Sequence, residues 1–188
     1  ARPTTEYEYD SLGRQIAALG PAVLDERTGE LVRHRAESKY DAEGRLEETW
    51  ANIRVVVNSN GTEQTPDYAN KQATAFEYDD YGRTIKEMRN GYVDGVLMLS
   101  IVVQTRYDVF GNVVAQSDAY DALTQTVVWS DSEQSYIATT NGNALVPTKL
   151  YEYDSQNHLA AVVLGKVTNP ATGQPARPRY EYAYDPQG

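Results

Sequence analysis

The sequence predicts an all-β protein, with tandem β-hairpin repeats forming a twisted, curved or spiralling antiparallel sheet. Three observations carry that prediction. A Tyr-Asp-x-x-Gly motif returns along the chain, the residues ahead of it alternate with a period of two, and Asn- and Gly-rich turn signals divide each interval between motifs.

The motif tyrosines are Tyr9, Tyr40, Tyr78, Tyr107, Tyr153 and Tyr184, spaced 29 to 46 residues apart. Each precedes an aspartate: Asp10, Asp41, Asp79, Asp108, Asp154 and Asp185. Three positions after the aspartates stand Gly13, Gly44, Gly82, Gly111, Asn157 and Gly188. Aspartate at the first position of a type I turn accepts a hydrogen bond from the N–H two residues on, and glycine at the fourth takes the left-handed conformation that closes a hairpin with a bulge. Asparagine tolerates positive φ best among the other residues, so Asn157 obeys the same rule. A carboxylate repeated at hairpin tips is turn chemistry; catalysis needs one constellation.

The motif tyrosines are expected to pack across strands beside those of other units, rings buried and hydroxyls at a polar rim. Arg14, Arg45 and Arg83 follow the turn glycines and are expected to stack on those rings or to pair with acidic strand faces. Asn112 and His158 take the arginine's place in two copies.

Ahead of the first motif, Thr5, Tyr7 and Tyr9 share one face of a strand and Thr4, Glu6 and Glu8 the other. Thr74, Phe76 and Tyr78 repeat the pattern, as do Tyr151 and Tyr153 around Glu152. Segments rich in Val, Ile, Thr and Trp follow the motifs: RLEETWANIRVVV, VLMLSIVVQTRYD and LTQTVVWS. Second turns are expected at residues 27–30, at 58–61, at Asn90-Gly91 and Asp94-Gly95, at 141–143 and at 169–173. Residues 118–124 are the one helix candidate, and the long interval from Tyr107 to Tyr153 must hold an extra hairpin or a long loop. Residues 25–35 align with 169–179, placing Arg33 and Arg35 in register with Arg177 and Arg179. The whole chain, 1–188, reads as one array; it opens without methionine and stops inside the sixth motif, as a window from a longer array would.

A net charge of −10 argues against nucleic acid or an anionic membrane as partner. No apolar run is long enough for a bilayer-spanning helix, and the chain has no cysteine for a disulfide or a thiolate metal site.

Tyr-x-Tyr-Asp-x-x-Gly-Arg, as in YEYDSLGR at residues 7–14, resembles the YD repeat of the RHS family. That family includes bacterial Rhs proteins, C components of insecticidal toxin complexes, wall-associated proteins and teneurins. The resemblance implies hairpins wound into a spiralling sheet and an exported or cell-surface scaffold. Its implied partners are neighbouring repeats of a parent protein, with a carbohydrate or another cell-surface molecule as the further expectation. The units here are longer than the familiar repeat of about twenty residues, and neither the family's self-cleaving cap nor a toxin domain is present in the sequence.

No enzyme activity is expected. His34 and His158 are the only histidines, and no H-E-x-x-H or G-x-S-x-G string occurs. No cofactor is expected either; calcium is the one ion with candidate oxygen ligands, at Asp79 with Asp80, Asp118 with Asp121, and Asp131 with Glu133. Two rivals to a scaffold remain open: a carbohydrate-binding module and a carboxylate-based glycan-cleaving enzyme. Trp50, Tyr92, Tyr120, Trp129 and Tyr136 lie outside the motif and are the candidate ligand-facing aromatics, against a plainer reading in which they pack on neighbouring strands.

Overall fold

A computed structural model describes residues 3–93, 96–142, 144–168 and 173–185, with the main chain alone for 91–99, 141, 167 and 168. Asp94-Gly95, Asn143, residues 169–172 of the last second turn and Gly188 lie outside the described residues, as does the side chain of Tyr92. The protein is all-β and its strand pairs are antiparallel. The chain divides into two compact units.

The first unit takes residues 1–82 and 88–99. It contains β1 (Glu6–Tyr9), β2 (Gln15–Leu19), β3 (Val23–Asp25), β4 (Glu30–Tyr40), β5 (Leu46–Val57), β6 (Gln72–Tyr78), residues 88–93 of β7 (Thr84–Val93) and residues 96–99 of β8 (Val96–Tyr107). The order is β1-β2-β4-β5-β6-β7, with β3 also paired to β4. Ala17, Leu19, Val32, Ile53, Val55 and Ala73 form its apolar core.

The second unit takes residues 83–87 and 100–188. Besides the remaining parts of β7 and β8 it holds β9 (Val113–Ser117), β10 (Tyr120–Asp121), β11 (Val127–Ser130), β12 (Ser135–Ala138), β13 (Ala144–Val146), β14 (Thr148–Tyr153), β15 (Leu159–Val163), β16 (Val167–Thr168), β17 (Pro175–Ala176) and β18 (Arg179–Glu181). The order is β7-β8-β9-β14-β15-β18 with β10 on β8, while β11-β12-β13 forms a small sheet and β16-β17 a hairpin.

The long interval therefore holds β10 and all three strands of the β11-β12-β13 sheet. The helix expected at residues 118–124 is instead β10 and a turn. The Asp121 carboxylate accepts from the Leu123 N–H at 3.0 Å, giving the main chain an alternative to helical bonds.

Register is fixed across units of different length. The residue four places after the turn glycine or asparagine faces the residue three places before the next motif tyrosine: Ala17 faces Glu37, Glu48 faces Ala75, Ala115 faces Leu150, and Ala161 faces Glu181. A slip of one residue would exchange the two faces of a strand. In three units the residues four and six past the turn, Ala17 and Leu19, Ala115 and Ser117, Ala161 and Val163, are all buried.

Candidate functional site

The motif turns are built locally. The Asp10 carboxylate accepts the Leu12 N–H at 2.9 Å and the Arg14 N–H at 2.9 Å, while the Gly13 N–H donates to the Asp10 carbonyl at 3.0 Å. Asp41, Asp108 and Asp154 accept the corresponding N–H groups of Arg45, Asn112 and His158. Asp79 accepts from the Tyr81 N–H at 3.0 Å. The pairing slips by one residue just before Tyr9, Tyr40, Tyr107 and Tyr153, which is the bulge the motif implies.

The fourth position is left-handed throughout the described copies, with φ of 78° at Gly13, 83° at Gly44, 78° at Gly82, 93° at Gly111 and 68° at Asn157. At Gly82 a Cβ would meet nothing nearer than the Arg45 Cδ, at 3.8 Å, so space is available and only φ demands glycine. Gly82→Val is accordingly expected to cost about 1–3 kcal/mol, the strain of a β-branched residue at positive φ. Gly82→Asn should cost much less. Chemical denaturation of the two variants separates a conformational demand from a steric one.

Each turn is then clasped to the next motif tyrosine. Tyr40 donates its hydroxyl to the Gln15 carbonyl at 3.0 Å, Tyr78 to Leu46 at 2.7 Å, Tyr107 to Thr84 at 3.0 Å, Tyr153 to Val113 at 3.0 Å and Tyr184 to Leu159 at 2.9 Å. The acceptor is always two residues past the turn's fourth position. Above the ring lies the intervening cation: the Arg14 guanidinium 4.7 Å from the Tyr40 centroid, Arg45 4.8 Å from Tyr78, and Arg83 4.8 Å from Tyr107.

Arg14 and Arg45 also bond back to their own turn aspartates through Nε, each at 2.7 Å. Arg45 and Arg83 reach the main-chain carbonyls of Asp79 and Asp108 at 3.4 and 2.8 Å. Asn112 replaces the cation with an amide bonded to Asn157 at 2.6 Å, and the His158 ring lies 5.0 Å from that of Tyr184.

One expectation needs correction here. The hydroxyls of Tyr40, Tyr78, Tyr107, Tyr153 and Tyr184 each donate to a main-chain carbonyl, at exposed positions for Tyr40 and Tyr184 and part-buried ones for the other three. The rings of Tyr40, Tyr78, Tyr107 and Tyr153 are half-buried beneath the preceding turn, with an arginine, not another tyrosine, over the first three of them.

The acidic strand faces are paired instead by strand arginines. Arg35 bonds Glu8 at 2.8 Å and Glu37 at 2.6 Å, and Arg179 bonds Glu152 at 2.6 Å and Glu181 at 2.8 Å. These two triads occupy the same motif positions, matching the alignment of residues 25–35 with 169–179. Arg33 is different from Arg177. It is buried, donating to the Gly20 carbonyl at 2.7 Å and pairing with Glu6 and Glu63 at 2.8 and 2.7 Å, whereas Arg177 bonds the Glu133 carbonyl at 3.0 Å.

The Arg14 and His158 main-chain N–H bonds hold the carboxyls of Asp10 and Asp154 below the usual aspartate range. At Asp41 and Asp108 partial burial pushes the other way, but the bonds from Arg45 and Asn112 prevail. A carboxyl whose value is depressed by folding stabilises the fold above its unfolded value, near 4, and loses that contribution as pH falls through the folded value. Thermal melts should therefore be level from pH 7 to about pH 5 and drop steeply below about pH 4. Asp10→Asn should flatten that drop.

Of the five aromatics outside the motif, Tyr120 and Tyr136 are buried and do not face solvent. Tyr120 bonds Gln104 through its hydroxyl, and burial pushes the Tyr136 phenol up to about 12. Trp129 packs edge-on against Tyr136 at 5.2 Å with the Arg106 guanidinium 4.4 Å from its centroid. Trp50 meets Tyr68 edge-on at 6.0 Å, and the Lys71 ammonium stands 3.8 Å from its ring centre. Both indoles are half-buried, each with a cation on its ring.

Among the described residues, no three His, Asp or Glu side chains gather as a metal would require. Asp131 accepts from the Trp129 indole N–H at 2.7 Å, and Glu133 pairs with Lys166 at 2.6 Å. A groove of 370 Å³ in the first unit is lined by Glu6, Glu63 and Arg33. The Arg33 guanidinium bonds both carboxylates, so they do not confront each other across open space as a hydrolytic pair would.

No family model and no curated protein matches the chain. Solved structures do. The crystal structure of TcdB2-TccC3-Cdc42 aligns over 92% of this chain at 17% identity with a TM-score of 0.25. A Photorhabdus luminescens Tc holotoxin pore carrying a TccC3 mutation aligns over 93% at 16% identity with a TM-score of 0.25. The chain spans 12% and 11% of the length of those two chains.

Proposed function

We propose that the chain is a non-enzymatic scaffold and interaction segment of a larger exported protein of the YD-repeat class. The observation that supports this reading is the clasp. At five successive steps a tyrosine hydroxyl meets the same main-chain position of the preceding turn. The motif's chemical groups are thereby spent on holding strands in register: carboxylates cap turns, guanidinia cover rings, and phenols close on carbonyls. An array of this kind takes its stability from interfaces between neighbouring repeats. Its natural partners are further repeats and other subunits of the parent assembly, and its place is outside the cell or on its surface.

The test sets this reading against its two rivals. The purified chain should pass through polysaccharide affinity gels unretarded and release no reducing sugar from a glycan panel, while Arg45→Ala and Tyr78→Phe each lower its melting temperature. Retention abolished by Trp50→Ala would replace the scaffold with a carbohydrate-binding module. Hydrolysis abolished by Glu63→Gln would replace it with an enzyme.

A further inference from the structure

Lys71 stands over Trp50 without a carboxylate of its own. Its ammonium lies 3.8 Å from the centre of the indole ring, and among the described residues no Asp or Glu side chain pairs with it. In a chain of net charge −10 this lysine is held by an aromatic face, which attracts a cation through its quadrupole.

Two further groups complete the site. Tyr68 meets Trp50 edge-on at 6.0 Å and donates its hydroxyl to Glu37 Oε1 at 3.0 Å, and Glu37 lies directly opposite Trp50 in the register of β4 and β5. Arg35 Nε donates to the same oxygen, while Oε2 receives no hydrogen bond among the described residues. The arrangement is local in origin. The Lys71 N–H donates to the Tyr68 carbonyl at 3.2 Å, closing a turn that sets both side chains against the indole.

Trp50 and Glu37 also line a groove of 290 Å³ with Ile16, Arg35 and Lys39, which has room for the body of a ligand beyond its charged head. The cations on its wall are already paired, Arg35 with Glu8 and Glu37, and Lys39 with Glu47 at 3.0 Å. Trp129 differs: its cation is the Arg106 guanidinium, and its ring partner Tyr136 is buried.

We propose that Trp50, Tyr68 and Glu37 form a binding site for a quaternary ammonium group, with Lys71 as its built-in competitor. A trimethylammonium head has no N–H to satisfy, so it gives up less hydration at the ring than the lysine it displaces. Lys71 follows residues 58–70, of which only Pro66 is not exposed, so its side chain leaves for water without disturbing the core. The inference goes beyond the scaffold role and does not depend on it.

The chain has two tryptophans, so an isotope-labelled sample gives two indole N–H signals, assigned by Trp50→Phe. Tetramethylammonium chloride should shift the Trp50 signal with a dissociation constant of about 1–20 mM and leave that of Trp129 in place. Lys71→Ala should tighten binding by about threefold or more, and Lys71→Arg should weaken it by a similar factor, because a guanidinium stacks on the indole more firmly. Sodium chloride at equal ionic strength should shift neither signal. Choline binding without sedimentation on phosphatidylcholine vesicles would support the site with a free ligand; sedimentation on them but not on phosphatidylethanolamine vesicles would support it with a lipid headgroup. The proposal is overturned by a Trp50 signal that stays fixed in both the unaltered chain and Lys71→Ala, by an equal shift from sodium chloride, or by binding that Lys71→Ala fails to tighten. Each of those results leaves the clasps and the scaffold reading untouched.

Discussion

Tyr78→Ala is expected to lower the free energy of unfolding by about 2–4 kcal/mol, and with it the melting temperature by roughly 5–15 °C. Three losses combine. The half-buried ring leaves a gap beneath the Arg45 guanidinium, which stands 4.8 Å from its centroid and loses a cation–π partner worth about 0.5–2 kcal/mol. The Leu46 carbonyl loses the phenol that donates to it at 2.7 Å, a bond of about 0.5–1.5 kcal/mol. The remainder is apolar area returned to water. Tyr78→Phe keeps the ring and forfeits only the hydrogen bond, so it should cost about 1 kcal/mol. Urea titrations of the pair apportion the clasp between ring and hydroxyl. Equal and negligible effects would mean that the strands hold their register without it.

The turns were legible in the sequence because their chemistry is local. Asp10 and Gly13 are three residues apart, and Asn157 in a glycine's place identified the left-handed position. The clasps were only half legible. Arg14 over a tyrosine was foreseeable as chemistry, but the tyrosine is Tyr40, and the acceptor of its hydroxyl is a main-chain carbonyl 25 residues away, which no side-chain pattern announces. The repeated match of Arg35 and Arg179 was visible as an alignment of two units. Its partners were not, since Glu8 and Glu152 are named only once the strands are in register.

Residues 118–124 misled because Asp and Ala there satisfy helical composition while the Asp121 carboxylate bonds two residues ahead. Nothing in the sequence marked Asn52, which sits at φ 57° within β5. Two residues of β5, Ala51 and Asn52, fit between the pairs Arg35–Ile53 and Glu37–Trp50, where β4 has only Ala36. A bulge of this kind arises from tertiary pairing and leaves no periodic trace.

Ile53 follows that bulge, and Ile53→Ala is expected to be the most damaging single truncation, at about 2–5 kcal/mol. The side chain is 0% exposed, so its whole apolar surface is withdrawn from water. It lies opposite Arg35 on β4, with Val55 buried two residues on. The guanidinium of Arg35 is held by Glu8 and Glu37, and so is not at liberty to collapse into the space left behind. A site that relaxes little retains its cavity, which puts the cost toward the upper half of the range. Ile53→Val removes one methylene and should cost about 0.5–1.5 kcal/mol, while Asn52→Gly should be neutral or slightly stabilising because glycine adopts φ 57° without strain. Hydrogen exchange should show the Ile53→Ala loss first in the amides shared by β4 and β5. If Ile53→Ala and Ile53→Val proved equally mild, the bulge would be a place where the core adapts, and the fixed register would have to originate in the tyrosine clasps alone.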